Sequence, residues 1–505
     1  GEVAEPERGS GDVTEGRRGF STMGKLSSLL KDTAIYGLSS IVGRFLNYLL
    51  VPLYTYVLKS CADYGIVNDL YAQTALLLVI LTFGMETTFF RFANREGENP
   101  RSVFSTAFIM VSLVAAVFLT LVLCGLSPIS SALGYAAHPA YIAIMATIVA
   151  MDAVQAILFS LLRFQKKALK FASFKLLFIL LNCTLNVVAF VALPHYLEDW
   201  PITVGYTFLI NLICTSVVML CFVKELRFLR VSLFNKDLAR RMLSYSWPLL
   251  ILGIAGILNQ VAGQLMLPRL LPQEEGRTAL GIYGACLKVA MIMAMITQAF
   301  RYAYEPFVFS GVNDKNNPAT LARVMKYFII FTLLAFLAVV AYMPLLQYLI
   351  GADYRTGLHI VPICMVAEIL MGIYFNLSFW YKLTDKTIYG TWFSLAGCTT
   401  LIVVNLILVP IMGYEACAWA GVAGYGVCTL LSYFIGQRHM PIPYPIKSIG
   451  VYVALTALFF FVMQQTPHYV ENIWCQMAIG TLLLAAFLGH VFWHDVRPML
   501  ASRRR

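Results

Sequence analysis

The chain has 505 residues, of which 59% are hydrophobic and only 12% charged, about half the charge of an ordinary soluble domain. This composition excludes a water-soluble globular enzyme and points to a chain that crosses a membrane many times. The net charge of +11 invites a nucleic-acid reading, but the positions of the charges argue against one.

In chain order, the first 22 residues, GEVAEPERGSGDVTEGRRGFST, are polar and glycine-rich and lack the apolar core of a secretory signal. An expression-vector scar or an upstream start codon accounts for them equally, and Met23 followed by Lys25 reads as the natural start. Windows of about 20 apolar residues then predict fourteen membrane spans. They lie at 33–57, 65–86, 103–125, 138–162, 171–193, 202–223, 246–268, 281–303, 324–350, 358–381, 388–409, 414–437, 446–463 and 472–494. The connections are short, which leaves no room for an extramembrane domain. The expected fold class is an all-α polytopic membrane protein. Of the 37 Lys and Arg, 27 fall on the side from which the first span enters and four (Lys59, Arg269, Arg277, Arg355) on the other. By the positive-inside rule both termini are then cytoplasmic, and the excess charge serves as anchors on an anionic leaflet.

The chain resembles itself at an offset of 216 to 219 residues. Tyr64-Gly65 opens span two and Tyr283-Gly284 opens span eight, and the same offset sets Asp69 on Lys288, Glu86 on Glu305 and Asn186 on Asn405. Spans four and ten align at 216, with Asp152 on Glu368. Each unit holds six spans, so the copies share an orientation and predict two parallel lobes with a cavity between them. The expected division is an N-lobe at 23–223, a basic cytoplasmic connection at 224–245, a C-lobe at 246–437, and spans thirteen and fourteen with a basic tail at 438–505.

Other patterns carry less. The eleven cysteines are scattered without a C-x-x-C pair and read as small packing residues. His490 and His494 have metal-ligand spacing, but beside Trp493 at a membrane boundary they read as interfacial. GVAGYG, from Gly421 to Gly426, lies within an apolar span, where small residues serve helix packing rather than phosphate binding.

A membrane glycan polymerase or ligase needs catalytic groups in water, and the outer connections are too short to fold over a saccharide. A transporter instead places polar groups at the midplane. Arg44, Asp69, Asp152, Lys288 and Glu368 fall inside spans, with Glu86, Arg91, Arg301 and Glu305 nearer the cytoplasmic ends as gate candidates. Arg44 lies about 16 Å into the first span at 1.5 Å per residue, and Ser40, Asn47 and Tyr48 share its helical face. An ionised group on the lipid face there costs a few kcal/mol at least, so these side chains face a lumen or one another.

KDTAIYGLSSIVGRFLNYLLVPLYTYVL, FGMETTFFRFANRE and LLRFQKKALKFA in the first half, with QAFRYAYEPFVF and NLILVPIMGYEACAWAGVA in the second, resemble a known family. It is the Wzx-like polysaccharide flippases of the multidrug/oligosaccharidyl-lipid/polysaccharide exporter superfamily. The resemblance implies a non-enzymatic carrier, expected as a monomer in the bacterial inner membrane. It would move an undecaprenyl-diphosphate-linked oligosaccharide by alternating access, beside polymerases and glycosyltransferases and without a cofactor. Arg44 and Lys288, with Asn47 and Tyr48, would meet the diphosphate. One departure stands out: Arg44 and Lys288 against Asp69, Asp152 and Glu368 make the central set net negative, whereas the family's cavity is cationic. The acids either pair with those cations or bind a coupling proton or sodium ion, as in related drug antiporters; a lipid II flippase is the other alternative. Arg44→Ala is expected to abolish glycan export while insertion remains normal, measured as surface polysaccharide against membrane protein level.

Overall fold

The computed structural model describes residues 48–197, 199–310, 317–384 and 386–497, without the side chains of 302–310 and 317. Arg44 and Asn47 lie outside the described residues, as does the side chain of Glu305. Among the described residues there is no strand. Thirteen helices there are long and apolar enough to cross a membrane, from Cys61–Ala93 to Ile473–Val496. They coincide one for one with the expected spans two to fourteen, and of the first span the α-helix Leu50–Val57 is described.

The ends of these helices follow local chemistry. Ser60 accepts from the Asp63 amide to start span two, and Asn99 accepts from the Arg101 amide before span three, with Pro100 in its first turn. Each cap satisfies an amide that the helix itself leaves unbonded. The left-handed pair Phe83 and Gly84 separates Cys61–Thr82 from Met85–Ala93. Span seven begins earlier than its hydropathy indicates. Asn235 accepts from the amides of Asp237 and Leu238, and the helix runs unbroken from Lys236 to Leu270 through Pro248. The expected connection at 224–245 is therefore short 3₁₀ turns at Phe222–Phe228 and Val231–Leu233, followed by the first turns of span seven.

Packing distinguishes the two ends of the bundle. At the end that carries the basic loops each lobe has its own core. Phe89, Phe104, Leu158 and Phe222 form one, joined by Leu238 and Met242 of span seven; Trp380, Tyr381 and Phe393 form the other. The lobes meet in a larger core, which continues through Phe328 of the C-lobe to Tyr452 of span thirteen; at the charge-poor end Tyr54, Tyr64 and Phe208 pack in it with Leu280, Tyr283 and Tyr354. Spans two and eight cross there at backbone contact. A β-carbon on Gly65 would run into the Arg277 carbonyl, one on Gly281 into the Cys61 carbonyl, and one on Gly284 into the Asn68 amide. The repeated Tyr-Gly pairs thus sit at the junction of the two copies.

The repeat also reaches the interior. Asn186 and Asn405 are both fully buried, and each donates to the carbonyl four residues back, of Asn182 and Leu401. Spans thirteen and fourteen pack on span nine at Asn317–Ala341. At the basic end Asp495 holds them there by pairing with Lys326 and accepting from Tyr452. The glycine contacts generate a test. Gly281→Leu is expected to force spans two and eight apart at a cost of about 1–3 kcal/mol, read as a lower melting temperature in detergent. Gly426→Leu, where a β-carbon meets nothing within 4 Å, is expected to melt like the parent protein.

Candidate functional site: an interlobe cavity

Between the lobes, on the basic side of that crossing, lies a cavity of about 760 Å³, within the usual range for small-molecule sites. The N-lobe supplies walls from the first span and spans two, five and six; the C-lobe supplies spans seven, eight, ten, eleven and twelve. Along span eight the lining runs from Tyr283 to Arg301, about 27 Å at 1.5 Å per residue.

The walls are polar without being densely charged. Seven amides line them: Asn68, Asn182, Asn211, Asn259, Gln260, Gln264 and Gln298. Some are held in place: Asn68 donates to the Tyr64 carbonyl at 2.8 Å, Asn211 to the Tyr71 hydroxyl at 3.0 Å and Asn259 to the Ser394 carbonyl at 3.1 Å. Gln260, Gln264 and Gln298 make no hydrogen bond among the described residues, so their donors and acceptors are open to a guest. Tyr54, Tyr64, Tyr71, Tyr283 and Tyr425 add aromatic faces, of the kind that present a ring and a polar tip together.

Three described ionisable side chains line this space: Lys288, Arg301 and Glu368. Lys288 is half-buried and makes neither an ion pair nor a hydrogen bond among the described residues. Arg301, nearer the basic end, lies over the Phe375 ring at 5.1 Å. Glu368 stands among Tyr283, Cys364 and Tyr425. The described wall therefore carries net charge +1, where the sequence set of central charges is net negative.

The two sets differ in that Arg301 stands in the wall count where Arg44 lies outside the described residues, and two acids of the sequence set lie elsewhere. Asp69 is buried at the lobe junction, where its Oδ1 accepts from Arg269 at 3.0 Å and its Oδ2 from Tyr135 and Gln73, each at 2.8 Å. Burial, with Asp69 beside it, pushes the Tyr135 phenol above its ordinary pKa, so it remains a donor. Asp152 lies inside the N-lobe with Lys175 as its cationic neighbour and is not part of the cavity wall. Its repeat partner Glu368 is, so equivalent positions occupy unlike surroundings. Among the gate candidates, Glu86 pairs with Arg163 at 3.1 Å within the N-lobe and Arg91 lies over the Tyr245 ring at 4.2 Å. Tyr48 is half-buried and lies off the described wall. Sequence reasoning missed the amides and Arg269. The amides were visible as Asn and Gln inside apolar windows, and Arg269 was assigned to a loop that proves to be the last turn of span seven.

Residues 29–305 match the family model described as "Polysaccharide biosynthesis protein", more than half of the chain. Among solved structures the chain is similar to "Lipid II flippase MurJ, inward closed conformation" at 15% identity and a TM-score of 0.65, covering 91% of this chain and 99% of that one. It is similar to an inward-facing "multidrug resistance MATE family transporter of the MOP superfamily" at 12% identity and 0.61, covering 80% and 94%. A MOP superfamily transporter from Pyrococcus furiosus, titled for the reverse polarity of its binding pocket, matches at 14% and 0.58, covering 81% and 95%. At such identities these likenesses show a shared fold. No curated protein sequence matches the chain.

Proposed function

We propose that this chain, which belongs to the polysaccharide biosynthesis protein family, is a flippase for a polyprenyl-diphosphate-linked oligosaccharide. The observation that carries the reading is the interlobe cavity, whose walls combine seven amides and five tyrosines with two cations and one acid.

A glycan presents many hydroxyls that each donate and accept, and side-chain amides match both roles. Their number suits an extended sugar better than a compact drug cation. The diphosphate is the difficult part, because an unpaired anion in a low-dielectric core is very costly. Lys288, without an ion-pair partner among the described residues, is the group that would meet it; Arg44 would join from the other lobe. Arg301 would receive it nearer the basic end. The polyprenyl tail stays in the bilayer, so the cavity needs no apolar pocket of its own. Closure of the separate cores at the basic end, with opening of the shared core at the other, would carry the sugar across. The expected setting is the bacterial cytoplasmic membrane with both termini inside, beside the glycosyltransferases and polymerase that make and use the glycan.

One observation favours a second reading. Glu368 in the wall is the kind of intramembrane acid that binds a proton or sodium ion, so flipping is ion-coupled or, in the alternative, the cargo is a cationic drug. The test is transport of a fluorescent polyprenyl-diphosphate oligosaccharide in proteoliposomes, with lipid II and a cationic dye as rival cargoes and with or without a pH gradient. Lys288→Gln is expected to slow glycan flipping at least about tenfold, the effect of losing about 1.4 kcal/mol at the rate-limiting step, while Lys288→Arg retains most of it. Dye transport with no glycan flipping would overturn the reading. If a pH gradient drives wild-type flipping, Glu368→Gln is expected to remove that dependence.

A further inference from the structure

The cavity ends, on the charge-poor side, at polar contacts that join the lobes. Asp69 of span two takes Arg269 of span seven on one carboxylate oxygen at 3.0 Å, and Tyr135 and Gln73 on the other. The chain around Tyr135 is gripped from the same lobe as Arg269. Gln273 and Arg277 both donate to the Gly134 carbonyl, at 2.7 and 2.6 Å, and the Arg277 guanidinium lies 4.9 Å from the centre of the Tyr135 ring. Gly134 is left-handed at φ +82°, a conformation natural to glycine, which turns its carbonyl outward and delivers Tyr135 to Asp69.

We propose that Asp69, Arg269 and Tyr135 form a latch that holds the charge-poor gate of the flippase shut, with Asp69 as its centre. This inference rests on the flippase reading for its purpose but on interlobe geometry for its existence. The Asp69 carboxylate is 5% exposed and the Arg269 side chain 41% exposed, so the pair has a buried acid and a cation reachable from water. Such a contact loses little when water replaces the arginine, and much when the acid remains buried alone. When the lobes part at this end, Asp69 and Arg269 separate into the same water-filled gap that becomes the exit, and both are hydrated there. The latch therefore adds stability to the shut state without trapping it.

Asp69 keeps Tyr135 and Gln73 on its own lobe whatever Arg269 does, because both belong to the N-lobe. The acid thus stays oriented and ready to receive Arg269 on closure. A second interlobe contact lies apart from the latch: Arg355 donates to the Tyr56 hydroxyl at 3.1 Å, and Tyr56 donates to the Tyr348 carbonyl at 2.9 Å. This contact and the buried core that both lobes share remain when the latch alone is broken, so latch variants are expected to fold.

The test needs no substrate. Gln264→Cys, on the cavity wall, serves as reporter in sealed vesicles exposed to a membrane-impermeant maleimide from the charge-poor side, with the adduct located by peptide mass spectrometry. Arg269→Gln and Asp69→Asn are each expected to raise the labelling rate about fivefold to tenfold, the effect of a typical coupling free energy. Arg269→Lys, which keeps the charge, is expected to stay within about twofold of the parent, an effect of about 0.4 kcal/mol. Monodisperse Arg269→Gln protein that labels at the parental rate would overturn the latch, and so would equal acceleration by Lys and Gln at position 269. Because no glycan is present, a failure here leaves the substrate reading intact. A failure of glycan transport leaves the labelling result intact as well.

Discussion

Inside a bilayer an ionised side chain must be paired, hydrated or neutralised, and even the lowest experimental scales set the cost of leaving it in lipid at about 2.5–3.5 kcal/mol. That constraint arranges this molecule. It sets Asp69 against Arg269 and Glu86 against Arg163, and it leaves Lys175 as the cationic neighbour of Asp152. Lys288, Arg301 and Glu368 line the large space between the lobes. With Asp69 and Asp152 away from it, the described wall holds two cations, Lys288 and Arg301, and one acid, Glu368, which favours an anionic cargo.

The fold prepares that space by an asymmetry in packing. At one end small residues let spans two and eight touch, as Gly65 and Gly281 do, and both lobes contribute to one core. At the other end aromatic clusters grow separately in each lobe, around Phe89 and Phe222 on one side and Trp380 on the other. A core joining the lobes at one end and separate aromatic clusters at the other leave the cavity between the lobes, lined by both of them. Span seven crosses this division, with Met242 in the N-lobe core and Leu267 in the shared one.

Much of this was legible in the residues. Hydropathy located spans two to fourteen because apolar length is a one-dimensional property. The self-similarity picked out the two Tyr-Gly pairs, and the structure places them where spans two and eight cross at backbone contact. Depth within the spans picked out Lys288 and Glu368, which line the cavity, together with Asp69 and Asp152, which do not. Partnership was harder. Asp69 and Lys288 occupy equivalent places in the repeat, yet one is tied to Arg269 and the other is not, and no spacing rule reports which helix faces which. Arg269 looked like a loop residue because the helix continues to Leu270, beyond the apolar window. The amides escaped for a related reason: a window average dilutes one Asn among many Leu and Ile, and they come from five spans that only the fold assembles.

The central claim is that the glycolipid head group occupies the interlobe cavity. Photocrosslinking tests it most directly, with p-benzoylphenylalanine placed at Gln264 or Gln298 on the cavity wall and, as control, at lipid-facing Leu430, which is 56% exposed. In proteoliposomes supplied with a radiolabelled polyprenyl-diphosphate oligosaccharide, the account predicts sugar-bearing adducts at positions 264 and 298 that unlabelled glycolipid competes away, and none at 430. Equal, uncompeted adducts at all three positions would contradict it.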